Sequence, residues 1–430
     1  LISIMLQTAY GVVDLLIVSQ FSSVGDTSGV TISSQIIKMI TALFTGLSMG
    51  STVLIGNNIG SKQLDQAAKY TGASVALFSV LAFATTLLLL LFCEAIVFMM
   101  NTPHEAIGPA TSYLTISALG TIFIVFYNLL GSIFRGIGDS KTPLVAVSIA
   151  FAVNIILDLL LIAIFDMGAT GAAIATVAAQ GVSVALSFFV IRKNGLPFPF
   201  SKREIKFDLT NFIDILRIGI PVALQGTMVS ASFLVITAIV NDFGVQSSAA
   251  VGIVEKITGV IMVVPIAFMQ SLSAFTAQNH GAGRLDRARQ GLKYGIIYSL
   301  SFGFITAYLS AFHGTLFTTP FKPDEATTIA ALEYLKSYSF DCVFVAIMFC
   351  ACGYFNGCGH TTFVMFQAVF SAFCIRIPLA YLLSKVENTS LFLIGLATPS
   401  STFVQIIMIY FFYQYTKKNT DSLPTSTSEM

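Results

Sequence analysis

Charge is what this 430-residue chain has least of: Asp, Glu, Lys and Arg make up 10%, against about 25% in a typical soluble domain. That shortage, beside 55% apolar residues, excludes both a disordered chain and an ordinary water-soluble globule. The 22 basic and 21 acidic side chains leave a net charge of +1, with no basic surplus to bind nucleic acid. There are four histidines, no His-Glu-x-x-His spacing and no Gly-x-x-x-x-Gly-Lys-Ser/Thr loop. A zinc hydrolase and an ATP-driven pump are therefore disfavoured, and no enzyme is expected. The cysteines, Cys93, Cys342, Cys350, Cys352, Cys358 and Cys374, form no Cys-x-x-Cys pair and fall mostly in apolar runs. They read as small packing groups, and no resident cofactor is expected. Tryptophan is absent, so an interfacial aromatic belt has to rest on tyrosine.

Long apolar runs are what the chain has instead. Residues 73–92, 167–191 and 388–416 carry no charge, and each suffices for the roughly 20 residues that cross a bilayer core as a helix. The full pass gives twelve candidate spans, near 1–21, 30–57, 70–92, 108–134, 143–165, 168–191, 212–241, 249–278, 292–317, 327–355, 362–384 and 389–416. The runs are continuously apolar rather than alternating, which argues against a membrane barrel. The fold class is an all-α membrane protein. Lys and Arg gather in the loops after even-numbered spans, including Lys62, Lys69, Arg135, Lys141 and Arg284, whereas the opposite loops hold only Lys322 and Lys385. Both termini are therefore expected in the cytoplasm. The chain opens at Leu1, already in an apolar run, so the N-terminal lobe is expected to lack part of its start. The domain reading is a lobe over 1–192, a cytoplasmic linker over 193–211, a second lobe over 212–416 and a disordered polar tail over 417–430.

The sequence overlays itself at a shift of 221 residues. Asn58, Gly60, Leu64, Asp65 and Ala67 fall on Asn279, Gly281, Leu285, Asp286 and Ala288. Phe134, Gly136 and Gly138 fall on Phe355, Gly357 and Gly359, and Tyr113-Leu114 on Tyr334-Leu335. One ungapped offset serves all three blocks. Six spans per repeat is an even number, so both halves insert with the same orientation, around a central cavity between them.

An ionised carboxylate at mid-bilayer costs about 2.5–3.5 kcal/mol on insertion scales, so an acid within a span is usually paired, protonated or bound to an ion. Asp14 lies in the first span and Asp158 in the fifth, with Asn154 four residues earlier on the same helix face. This oxygen-rich set suits Na⁺ or a proton shared between two acids. The alternative is a helix–helix hydrogen-bond clamp.

The motifs resemble those of the multidrug and toxic compound extrusion family over essentially the whole chain. They are Gly56-Asn57-Asn58-Ile59-Gly60 and its echo at residues 277–283, the 134–143 stretch from Phe134 to Pro143, Gly168-Ala169-Thr170-Gly171-Ala172-Ala173, and Arg376-Ile377-Pro378-Leu379-Ala380-Tyr381. The resemblance implies a V-shaped twelve-helix secondary exporter, antiporting organic cations or amphipathic compounds against H⁺ or Na⁺ by alternating access. It implies a cation-coupling site of Asp14, Asn154, Asp158 and Thr176, the same four being the metal ligands if Na⁺ is the coupling ion. Gln7 and Tyr10 share the helix face of Asp14 and match polar cavity positions, as does Asn128 in span four.

The second half offers Glu255 beside Lys256, Asp341 and Arg376 as cavity or substrate-contacting residues, Glu255 and Lys256 reading as a pair whose opposite charges limit their cost. Partners are expected to be small organic molecules and the lipid bilayer, with no nucleic acid and no obligate protein partner. The resemblance points to a bacterial inner membrane. The competing function is a lipid-linked saccharide flippase of the same wider superfamily, which Lys38, Lys256 and Arg376 would suit.

Overall fold

The computed structural model describes residues 6, 13, 14, 16–321 and 324–421. Every regular element among them is helical, and no strand occurs among the described residues. Among the described residues, ten helices are long and apolar enough to cross a membrane, and a bent pair makes an eleventh. The residues described near position 14 are helical as well, and they belong to the first of the twelve expected spans. Gln7, Tyr10, Lys322 and the tail from 422 onward lie outside the described residues.

Span two runs Val24–Gly60 and span three Leu64–Met99. At 1.5 Å per residue, the 37 residues of span two reach about 55 Å, well beyond a hydrocarbon core of about 30 Å. Ser23 starts it, its hydroxyl accepting from the Asp26 amide at 3.0 Å. Asp26 in turn accepts from the Ala169 amide at 3.1 Å, so a carboxylate of span two caps the N-terminus of span six, Gly168–Asn194.

Span four was expected as one helix over 108–134. It is a bent pair, His104–Leu119 and Thr121–Ile137, turning by 50°. Gly120 at the break has no side chain, and the side chain of Val177 from span six occupies the place a Cβ would take. Span five is α-helical over Lys141–Asp158 and then widens into a π-helical turn, Leu159–Ile164. Span eleven repeats the device, with a π-helical turn at Ser371–Arg376 between Thr361–Phe370 and Ile377–Ser384. Pro378 explains the second case: it lacks the N–H that Cys374 would need at α-helical spacing, and a wider turn reroutes the ladder.

The remaining spans are Leu209–Asn241, Val245–Gly281, Leu285–Phe312, Glu325–Gly357 and Leu391–Lys418. The last helix continues to Asp421. Residues 417–421, expected as disordered tail, are therefore helical. Gln414, Lys417 and Lys418 are good helix formers, and the first helix-breaking residue after them is Pro424.

The chain divides into two compact units. The first is Leu1–Gly226 with Ser273–Ala288 and Asn356–Thr361; the second is Thr227–Leu272, Arg289–Phe355 and Thr362–Met430. The first unit packs around Phe44, Phe78, Leu114, Leu129 and Ile133. The second packs around Ile236, Val251, Val254, Leu335 and Ile394. Outward faces are apolar too: span three exposes Phe83, Leu88, Leu91 and Phe92, as a helix solvated by lipid does.

Within the first unit, small residues bring backbones together. A Cβ on Gly60 would run into the carbonyl oxygen of Gln278, and one on Gly281 into that of Asn57. The same contact is pinned by Asn57 Nδ2 against His280 Nδ1 at 3.2 Å, while Gln278 Nε2 ties span eight to span four by donating to the Gly136 carbonyl at 2.7 Å. The repeated Asn-x-Gly motifs are thus where spans two and eight touch.

Candidate ion-coupling site

Three spans of the first unit bring their polar side chains to one buried point. Asp14 is 3% exposed, and Asn154 and Asp158 are fully buried. Thr176 of span six donates its hydroxyl to Asp14 Oδ2 at 2.6 Å. Asn154 and Asp158 of span five lie within interaction range of the same carboxylate. The four residues singled out in the sequence therefore stand together.

Their hydrogen bonding is incomplete. Asp14 Oδ1, both side-chain heteroatoms of Asn154 and both carboxylate oxygens of Asp158 are sealed from solvent with no protein partner. An orphaned buried polar group costs about 1–3 kcal/mol, more when charged. Four oxygens and an amide nitrogen are thus orphaned at one point. The donor set is hard oxygen, the chemistry of Na⁺ or a proton rather than of a transition metal. No group of three His, Cys, Asp or Glu side chains suited to a metal ion occurs among the described residues. Tyr113 of span four closes the cluster beside Asp14 and Thr176. In the sequence it stood out only as a marker of the repeat.

Asn128 does not join this cluster. It accepts from Thr45 Oγ1 at 2.8 Å and donates to the Ile124 carbonyl at 2.8 Å, fastening span four to span two. Glu255 and Lys256 do not pair, contrary to expectation. Glu255 accepts from Thr237 Oγ1 at 2.8 Å, while Lys256 is exposed with its ammonium 6.0 Å from the Phe321 ring centre. Consecutive helical residues point about 100° apart, so the pairing was geometrically unavailable.

Asp341 and Arg376 are buried in the second unit, 2% and 4% exposed. Arg376 donates through Nε to Ser401 Oγ and through Nη1 to Ser232 Oγ, each at 3.0 Å. Its guanidinium lies 4.5 Å from the Phe233 ring centre. Ser232, Phe233 and Ser401 escaped the sequence reading, because single serines and phenylalanines are ordinary in apolar helices.

The MatE family model matches the chain twice, over residues 1–160 and 221–382, in register with the internal repeat. The chain is 23% identical to "Probable multidrug resistance protein YoeA" of Bacillus subtilis over 425 residues, 97% of this chain and 92% of that protein. It is 25% identical to a second such protein of that organism, YpnP, over 95% of this chain and 91% of the relative. Its fold matches the outward-facing structure of a multidrug resistance MATE family transporter of the MOP superfamily, with a TM-score of 0.89, 20% identity, and coverage of 98% and 94%. A doubled family match, the motifs at both repeats and a shared fold lead to one conclusion: this multi-pass membrane protein belongs to the MatE family.

Proposed function

We propose that the protein is a secondary active multidrug exporter, driving organic cations or amphipathic compounds out of the cell against H⁺ or Na⁺. The family membership supports transport. The observation that carries the coupling is the cluster of orphaned oxygens on Asp14, Asn154 and Asp158 beside Thr176. Two carboxylates buried together cannot both stay ionised unless a cation sits between them. A proton shared by the pair, or a Na⁺ held by both with the Asn154 and Thr176 oxygens, satisfies the same atoms. Binding and release of that ion changes the charge of the first unit, and so biases the equilibrium between its conformations. The 38 Phe, 14 Tyr and 13 Met of the chain supply π faces and deformable thioethers for aromatic substrates. The asymmetry of Lys and Arg between the loops supports cytoplasmic termini, and the family resemblance supports a bacterial inner membrane.

Expression in an efflux-deficient strain tests this reading. Accumulation of ethidium and related cationic dyes should fall. If no dye or cationic drug is exported while a lipid-linked saccharide is flipped, the flippase function replaces it.

A further inference from the structure

Arg376 is a buried cation in direct contact with no carboxylate. It makes no ion pair among the described residues, although Asp341, Tyr334 and Tyr338 of span ten surround it closely enough to feel its charge. Its two acceptors are neutral hydroxyls. Ser232 and Ser401 each donate their own proton away, to the Val229 and Thr398 carbonyls, and turn only lone pairs toward the guanidinium. A guanidinium has five N–H groups. Two are used here, which leaves one Nη1 and both Nη2 protons without a protein acceptor. Nη2 is also absent from the fully sealed polar atoms, although the residue as a whole is only 4% exposed. Phe233 covers one face and holds the plane in place.

The repeat sharpens the point. Tyr113 flanks the acid cluster of the first unit, and its repeat partner Tyr334 flanks Arg376 in the second. Spans one, five and six supply Asp14, Asn154, Asp158 and Thr176; spans seven, eleven and twelve supply Ser232, Arg376 and Ser401. Arg376 falls on Ile155, one residue from Asn154. Each half thus builds a polar cluster from corresponding spans, with a π-helical turn in span five or eleven beside it. The first is built on two carboxylates; the second on the Arg376 guanidinium, with the Asp341 carboxylate nearby but not ion-paired to it.

We propose that Arg376 anchors the anionic group of an amphipathic substrate, a carboxylate or phosphate carried on an aromatic body and bound within the second unit. The proposal rests on the transport reading above. An isolated charge in a membrane interior is costly; a bound oxyanion removes that cost through a bidentate, charge-assisted pair of hydrogen bonds on the free edge. The nearby carboxylate of Asp341 makes no ion pair with the guanidinium, so it does not occupy that edge.

The test uses the full-length protein in phosphatidylcholine nanodiscs, with dansylglycine as the anionic probe and dansylglycinamide as its neutral analogue. The acid should bind the wild type at least tenfold more tightly than the amide. That preference should vanish in Arg376→Gln and survive in part in Arg376→Lys, which keeps the charge but not the fork. Equal binding of acid and amide to the wild type overturns the proposal without any variant having to fold. Displacement of dansylglycine by added phosphatidylglycerol would assign the anchor to a lipid headgroup and overturn it as a substrate site. Ethidium serves as a separate arm on the wild type. If ethidium binds and dansylglycine does not, the exporter stands and the anchor falls; if neither binds, the transport reading itself fails.

Discussion

Replacing Gly281 with alanine should loosen the contact between spans two and eight. A Cβ at this position points into the carbonyl oxygen of Asn57, and one at Gly60 into that of Gln278. Both obstacles are backbone, so no side chain can rotate away and the helices themselves have to part. Overpacking of this kind costs about 1–3 kcal/mol, roughly a 5- to 150-fold change in the population of the closed contact. The readout is a disulfide between Asn57→Cys and His280→Cys, whose native side chains meet at 3.2 Å, in a background freed of native cysteine. Gly281→Ala should slow cross-linking by that factor, and Gly60→Ala likewise. The double variant should fall short of the product, because one separation relieves both clashes. Unchanged cross-linking in both single variants would refute the idea that these glycines exist for close backbone approach.

Two more expectations follow from the loops. Asp139 caps span five, its Oδ1 accepting from the Lys141 and Thr142 amides at 2.9 and 3.1 Å, so Asp139→Ala should lower thermal stability by about 0.5–2 kcal/mol. Partial burial works to raise its carboxyl pKa, but the Thr142 hydroxyl and the two amides outweigh it and hold the group below the usual carboxylate value; the stabilisation is therefore present at neutral pH and lost in acid as the folded group takes up its proton, and the gap between wild type and variant should close there. Cysteine labelling in intact cells should find Lys62→Cys protected from, and Lys385→Cys open to, an impermeant reagent applied outside; labelling of position 62 from outside would invert the topology.

The architecture was legible in the sequence because lipid makes apolar length decisive. Spans five to eight and ten to twelve were found within a few residues of their observed ends, span nine runs Leu285–Phe312 rather than 292–317, and the repeat located the glycines that touch. Asp14, Asp158 and the nearby Asn154 could be singled out because acids are rare in such runs, whereas Thr176 was reached only through the family resemblance. Local geometry was not legible. The break at Gly120 depends on a side chain fifty-odd residues away, Val177. The π-helical turn after Asp158 leaves no residue pattern of its own, whereas Pro378 was a usable signal for the one ending at Arg376. Glu255 and Lys256 misled because adjacency in sequence is not adjacency on a helix. The missing ion pair of Arg376 is a property of three-dimensional neighbours, and no spacing in the chain announces it.

The coupling role of the acid pair is tested most directly in proteoliposomes loaded with ethidium, with a Na⁺ or a pH gradient imposed separately. Wild-type protein should move the dye against its gradient when one of the two is applied. Asp14→Asn and Asp158→Asn should insert and fold, because neutralising a membrane-buried acid is not costly to the fold. Each removes one charged partner of the coupling ion, a change worth about 2–5 kcal/mol at a buried site, and gradient-driven transport should be abolished. If both variants, at wild-type levels in the membrane, still concentrate dye under the same gradient, Asp14 and Asp158 are not the coupling site.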